Sequence, residues 1–151
     1  MKIIVQRVLE AYVKVDEKVV SHIDQGYCLF VGICQHDTLE TMELMAKKIS
    51  KLRIFDDDEG KMNRDIHSTT KEILSVSQFT LCADTKKGNR PSFTMAMNAN
   101  EAKKYFEYFN QALESHGLIV KRGLFQAAMK VHLINDGPLT IILEENHDTH
   151  S

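Results

Sequence analysis

Six residues, Asn135-Asp136-Gly137-Pro138-Leu139-Thr140, constrain the fold of this chain more than any other stretch. They separate two strand-like apolar runs, residues 129–134 and 139–143. Asp-Gly between such runs is by itself a hairpin signal. The proline that follows has no backbone donor and restricts the residue before it, so the peptide is held in one shape. A simple hairpin turn is one reading of the segment; a rigid recognition element is the other. A second unusual stretch is Ser77-Gln78-Phe79-Thr80-Leu81, where an apolar run ends in two hydroxyls, an amide and an aromatic ring. Such groups can line a pocket for a polar ligand.

The remaining pattern predicts one α+β domain over residues 1–144. Residues 2–8, 11–15, 18–23 and 27–33 are short, rich in Val and Ile and broken by charged pairs or Gly26, which predicts strands. Asp37-Thr38-Leu39-Glu40 has capping-box spacing, with Asp37 as N-cap. Met42, Met45, Ala46, Ile49 and Leu52 follow at helical spacing, predicting a helix over about 38–52. Residues 72–81 read as a strand and 83–98 as a loop. A second helix is predicted from Asn98 or Asn100, burying Ala102, Tyr105, Phe106, Phe109, Ala112 and Leu113 and ending at Gly117. Its aromatics are spaced for a core, not for stacking on bases. Strands return over 118–124 and 129–143. The tail, 145–151, is polar and aperiodic and is expected to be disordered, with His147 and His150 in it.

At 151 residues, 43% hydrophobic and 26% charged, the chain is long enough to bury a real core. No apolar stretch approaches the ~18 residues of a membrane span, and the N-terminus lacks a signal-peptide pattern. A cytoplasmic protein without membrane contact is the expectation. The net charge of −2 excludes bulk attraction to nucleic acid, so any RNA contact must be local. Lys86, Lys87 and Arg90 form the candidate patch, against the plain alternative of a solvated loop. The three cysteines, Cys28, Cys34 and Cys82, contain no C-x-x-C and read as buried thiols. Residues 56–60 only superficially resemble a calcium loop: the glycine comes one place early, and His67 stands where the bidentate Glu belongs. No metal cluster and no cofactor are implied.

Several motifs occur together. Ile4-Val5-Gln6-Arg7-Val8 comes first, then Arg53-Ile54-Phe55 and Gly60-Lys61-Met62-Asn63, then Ser77 to Leu81. Ala83-Asp84, Gly88 and Arg90-Pro91-Ser92-Phe93 follow, then Gly123, Phe125, Ala128, Met129, Val131 and Leu133, and finally the Gly137-Pro138 segment. In this order and spacing they resemble the D-aminoacyl-tRNA deacylases, over residues 2 to about 144. The resemblance implies two packed, barrel-like β-sheets under a layer of two main helices, in a homodimer whose active site spans both subunits. It implies hydrolysis of D-aminoacyl-tRNA at the 3′ acceptor end, and of glycine mischarged on alanine tRNA, with L-aminoacyl esters rejected. Ser77, Gln78, Phe79 and Thr80 would orient the ester, while the substrate's ribose 2′-hydroxyl assists attack. Gly137 and Pro138, joined by a cis bond, would be the chiral filter in the partner's pocket, although only ~5–6% of X-Pro bonds are cis in general. Asn135 and Thr140 would fix that segment, Met129 would contact substrate, and Lys86, Lys87 and Arg90 would meet tRNA.

Two alternatives remain open at this level. One is an esterase with Thr80 as nucleophile, although no G-x-S-x-G elbow and no histidine lies near it in sequence. His132, on a strand, reads as a structural residue. The other is a tRNA acceptor-end binding module without turnover.

Overall fold

The computed structural model describes residues 1–145. Eight strands and two helices run in the order β1 (Lys2–Val15), β2 (Lys18–Ile23), β3 (Gly26–Gly32), α1 (Leu39–Lys51), β4 (Phe55–Asp56), β5 (Met62–Arg64), β6 (Glu72–Ser77), α2 (Ala99–Ser115), β7 (Ile119–Arg122) and β8 (Lys130–Glu144). One six-stranded sheet follows the path β2-β1-β3-β6-β7, with β8 on the other edge of β1. It rolls far enough that the Ser21 hydroxyl of β2 donates to the Arg122 carbonyl of β7, nearly closing a barrel. β4 and β5 form a separate small ribbon. No helix among the described residues is long and apolar enough to cross a membrane.

Two cores result, and β1 and β8 serve both. Ile3 and Val5 pack against the helices, whereas Val8, Ala11 and Val13 fill the barrel interior. Val8 lies on the face opposite Ile3 and Val5 by plain alternation, and a bulge brings the odd-numbered Ala11 and Val13 onto its face: Val8 pairs with Asn135 and Glu10 with Ile134, leaving Leu9 unmatched. One extra residue inverts the period-two alternation beyond it. That is why the sequence reads as two strands, 2–8 and 11–15, where the structure has one.

The Gly-Pro segment is a larger departure on the facing strand. Gln6 pairs with Thr140 and Val8 with Asn135, so residues 136–139 stand opposite Arg7 alone. The chain leaves the ladder and returns without reversing, which excludes the hairpin reading. Val131 and Leu133 of β8 face the barrel, while Leu139, Ile141 and Leu143 face the helical core.

Four other expectations are corrected. The N-cap of α1 is Thr38, whose hydroxyl accepts from the Thr41 N–H while the Thr41 hydroxyl accepts from the Thr38 N–H. Asp37 is otherwise engaged, taking the Met1 ammonium at 2.7 Å and the Cys34 N–H at 2.7 Å. The strand predicted over 72–81 stops at Ser77, and Phe79–Cys82 form a 3-10 turn. Cys34 and Cys82 are not free thiols: they are joined, with Cα atoms 5.9 Å apart. Only Cys28 is the expected buried thiol, in the barrel core, where burial pushes its pKa up to about 12. Glu145, assigned to the tail, is hydrogen-bonded through its N–H and C=O to Met1. His147 and His150 lie outside the described residues.

Elsewhere the local chemistry explains the elements. Asn98 caps α2 by accepting from the Asn100 N–H, and Gly117 follows the helix at φ +82°. Residues 56–60 are a tight turn held by the Asp57 carboxylate, which accepts the Glu59 and Lys61 N–H groups. The Lys61 bond above all holds that carboxyl below its usual range.

Candidate functional site

The end of β6 and the 3-10 turn border a cavity of about 490 Å3. Ser77, Gln78 and Phe79 form one wall, with Val76 below them. α2 contributes Ala99 and Ala102, and the segment before β8 contributes Phe125, Gln126, Ala127 and Met129. Phe125 is backed by Phe106, ring centroids 6.1 Å apart. Met129 reaches the cavity across Gly123, where a Cβ would come within 2.9 Å of the Met129 sulfur. The turn itself is tied to the sheet by the Gln78 N–H, which donates to the Val31 carbonyl at 2.8 Å. Its first internal bond is from the Leu81 N–H to the Gln78 carbonyl, so the Phe79 and Thr80 N–H groups precede it.

The cavity is mainly apolar, with a few polar groups and no ionisable one among the described residues that line it. Its polar side chains are Ser77, Gln78 and Gln126, and among the described residues none that lines it is Asp, Glu, His, Lys, Arg, Cys or Tyr. Thr80 is exposed beside it, and its hydroxyl oxygen accepts from the Gln78 amide. His132 is no neighbour of Thr80; it stacks on Tyr12, its cross-strand partner, at 4.5 Å between centroids.

Gly137 and Pro138 do not line this cavity in the same chain. They are exposed, on the bulge of β8, and the bond between them is cis. A polar clasp holds the bulge. The Asn135 side-chain Oδ1 accepts the Leu139 N–H at 2.9 Å, bridging across the pair. The Asn135 amide donates to Gln6 and Thr140, and the Thr140 hydroxyl donates to Gln6 at 2.8 Å. Beneath lies Arg7, only 8% exposed, donating to the Ile54 carbonyl at 2.6 Å and the Asp136 carbonyl at 3.3 Å. Its guanidinium also faces the Asp136 carboxylate at 3.4 Å.

Gly137 itself has φ +124°, and a Cβ there would sit 3.1 Å from both Arg7 Nη2 and the Leu139 nitrogen. Only glycine fits both the backbone and the space. Arg7 and Gln6 are therefore site-forming residues that motif reading did not single out. The available signal was Arg7 itself, a charge in the inward phase of Ile3-Val5-Arg7.

Lys86, Lys87 and Arg90 are exposed on the loop between the 3-10 turn and α2, which is pinned by paired Asp84 and Ser92 backbones. Lys86 lines a different concavity, beyond the turn; none of the three reaches the 490 Å3 cavity.

The family model described as D-Tyr-tRNA(Tyr) deacylase matches residues 4–144. The chain belongs to the D-Tyr-tRNA(Tyr) deacylase family. Two relatives named D-aminoacyl-tRNA deacylase support this. One, from an Exiguobacterium species, is 49% identical over 97% of this chain and 99% of its own length. The other, from Staphylococcus aureus, is 51% identical over 95% of each. Among solved structures, the c-Myc DNA Unwinding Element Binding Protein is similar, with TM-score 0.90 and 41% identity over 97% of this chain and 99% of that one. A probable eukaryotic D-amino acid tRNA deacylase shares the fold at TM-score 0.80 and 15% identity, over 94% and 97%. In this deacylase-family chain the two motifs thus occupy separate places, one concave and one projecting.

Proposed function

We propose that this chain hydrolyses the ester between a D-amino acid and the terminal adenosine of tRNA, releasing free amino acid and tRNA, and that it refuses L-aminoacyl esters. Membership of a deacylase family supports the reaction class. The observation that carries the mechanism is the cavity lined by Ser77, Gln78 and Phe79 without an ionisable side chain among the described residues. A cavity of that kind offers no general base to activate a protein nucleophile. It suits a substrate that brings its own assistance, the ribose 2′-hydroxyl beside the ester, with water as final acceptor. The protein then orients the ester and supplies oxyanion donors, for which the Phe79 and Thr80 N–H groups at the start of the turn are suitably placed.

The filter is assigned to Gly137 and Pro138 of a second subunit. Because they project from an edge strand and lie apart from the cavity of their own chain, a homodimer with a shared site is the arrangement that brings both motifs to one substrate. An apolar row supports such packing: Ile142 (65% exposed) pairs with Ile4, and Ile4 with Phe30. The Gly137 and Pro138 carbonyls would hold the α-amino group and crowd the direction of an L side chain. Glycine has no side chain to exclude, so glycine mischarged on alanine tRNA passes as well. Met129 contacts the substrate from the cavity wall. Lys86, Lys87 and Arg90 meet acceptor-end phosphates, a contact that weakens with salt. The work belongs in the cytoplasm, where aminoacyl-tRNA is used.

Side-by-side hydrolysis of D-tyrosyl-tRNA and L-tyrosyl-tRNA tests the reading. Loss of the D ester alone is expected; equal cleavage of both, or of neither, overturns it. Replacing the terminal ribose by 2′-deoxyribose should abolish turnover, whereas Thr80→Ala should retain it. Loss of turnover in Thr80→Ala with folding and tRNA binding intact would replace substrate assistance by a Thr80 nucleophile.

A further inference from the structure

The 3-10 turn Phe79–Cys82 has a second concavity on its far side, of about 550 Å3. Lys2, Cys34, Cys82, Lys86, Glu144 and Glu145 are among the residues that line it. Thus the Cys34–Cys82 bond opens on a space large enough for a small peptide, separate from the cavity that holds Ser77, Gln78 and Phe79. Cys34 is half-buried and Cys82 buried. The third cysteine cannot interfere: Cys28 sits fully buried in the barrel core, where its thiolate is suppressed.

The bond also joins two unlike supports. Cys34 has its N–H held by the Asp37 carboxylate, which in turn holds the Met1 ammonium. Cys82 is the last residue of the turn, whose first anchor is the Gln78 N–H on Val31. With the sulfurs joined the turn is fastened to the sheet at its start and to the Cys34 loop at its end. With two thiols it loses the covalent fastening next to Thr80 and Leu81.

We propose that Cys34 and Cys82 are a reversible thiol–disulfide exchange site, oxidised by a small peptide disulfide of the glutathione class and reduced by the matching thiol, which sets how firmly the turn carrying Phe79 and Thr80 is held. The exchange site stands on geometry alone; its effect on turnover rests on the deacylase reading above. In the oxidising direction the Cys34 thiolate attacks one sulfur of the small disulfide and expels one thiolate, leaving a mixed disulfide on Cys34. The Cys82 thiolate then displaces the second thiolate and closes the bond. Two protein thiols and one small disulfide become one protein disulfide and two small thiols, a two-electron exchange that reverses through the same intermediate. Lys86 lines the concavity beside the pair, whereas Lys2 there faces Glu144 at 3.7 Å and Glu145 adds another carboxylate, so access rests on the shape of the space and not on a positive rim.

The test equilibrates the full chain, without air, in mixtures of reduced and oxidised glutathione, then quenches with acid, denatures, alkylates and weighs it. Because the chain has three cysteines, three alkyl additions are expected at the reducing end and one, on Cys28, at the oxidising end. Cys34→Ser and Cys82→Ser should each show no such closure. In parallel, reduction should lower kcat on D-tyrosyl-tRNA about threefold to tenfold through misplacement of the turn, with KM unchanged. A Cys34→Ala/Cys82→Ala double variant should start low and ignore glutathione. Three additions in every mixture, or a lasting glutathione adduct without closure, would overturn the site. Equal redox response in wild type and double variant would overturn its control of the turn. Absence of deacylation from every form would remove that control too, while the alkylation count would still decide the exchange site.

Discussion

Phe79 and Gly137 rest on two different kinds of support. Phe79 comes from a short turn laid across the end of a parallel strand pair, backed by Val31, the cavity wall and the Cys34–Cys82 bond. Gly137 comes from a bulge in an edge strand, backed by no apolar packing of its own but by a clasp of Gln6, Arg7, Asn135 and Thr140. The first arrangement makes a hollow, the second a projection. A hollow can be shaped by apolar volume, which is forgiving of small changes. A projection must hold its backbone by directed bonds, because no apolar layer of its own chain presses on it from outside. Mutations should therefore be graded at the cavity and abrupt at the bulge.

The sharpest way to break this contrast is subunit mixing. Phe79→Ala damages the hollow and Gly137→Ala the projection, and each variant alone should lose most D-specific hydrolysis. If the site is shared as proposed, co-expressed chains should recover about a quarter of wild-type activity, because half the dimers would be mixed and one of their two sites whole. No recovery would mean that hollow and projection act within one chain.

Arg7→Ala comes next. It removes a nearly buried cation that serves two carbonyls, and the expected loss is about 2–3 kcal/mol in denaturant unfolding. Chiral selectivity should fall with it, read as the D-to-L rate ratio. Arg7→Lys should not restore either, since one ammonium cannot span the Ile54 and Asp136 carbonyls. Wild-type selectivity in Arg7→Lys would show that charge alone sets the bulge.

Gly137→Ala by itself should cost about 1–3 kcal/mol, from a positive φ and a Cβ crowded by Arg7 and Leu139. Thermal melting of single and double variants with Arg7→Ala should show non-additivity, because both act on one contact.

The smallest effect lies far from both motifs, where Arg122 bridges Glu107 and Glu114 at 2.8 Å. Its hydrogen bond holds the Glu114 carboxyl below the usual range. A depressed carboxyl pKa adds stability that is complete above the unfolded value of about 4.3 and fades as pH falls through the folded value. The pair is partly exposed, so Arg122→Ala should cost only a few tenths of a kcal/mol at neutral pH. That difference should shrink in acid.

What the sequence disclosed follows the same division. Periodic apolar positions gave both helices, since Met42, Met45, Ala46 and Ile49, and likewise Ala102, Phe106, Phe109 and Leu113, are buried. Tyr105 and Ala112 are only partly so, and the polar Thr41, Ser50 and Asn110 are buried beside them. The cap was misplaced by one because Asp37-x-x-Glu40 and Thr38-x-x-Thr41 have the same spacing. Only the long-range claim of Met1 on Asp37 decides between them. Motif matching found Ser77 to Thr80 and Gly137-Pro138 but not the fact that β8 runs straight past the proline. That depends on β1 offering partners on both sides of the gap, which no local pattern records. The Cys34–Cys82 pairing spans 48 residues and was equally invisible. Arg7 was quoted as part of a strand signature, yet its burial and two carbonyl partners emerge only once Ile54 and Asp136 are brought beside it.

The bulge at Leu9 and the excursion of residues 136–139 sit nearly opposite each other, and at that point both strands exchange the core they face. Deleting Leu9 would make β1 regular, with Ala11 and Val13 still on the Val8 face, but it would remove the extra residue that Val8 and Glu10 now bracket opposite β8. The projecting Gly-Pro pair is thus anchored where both long strands depart from regular pairing.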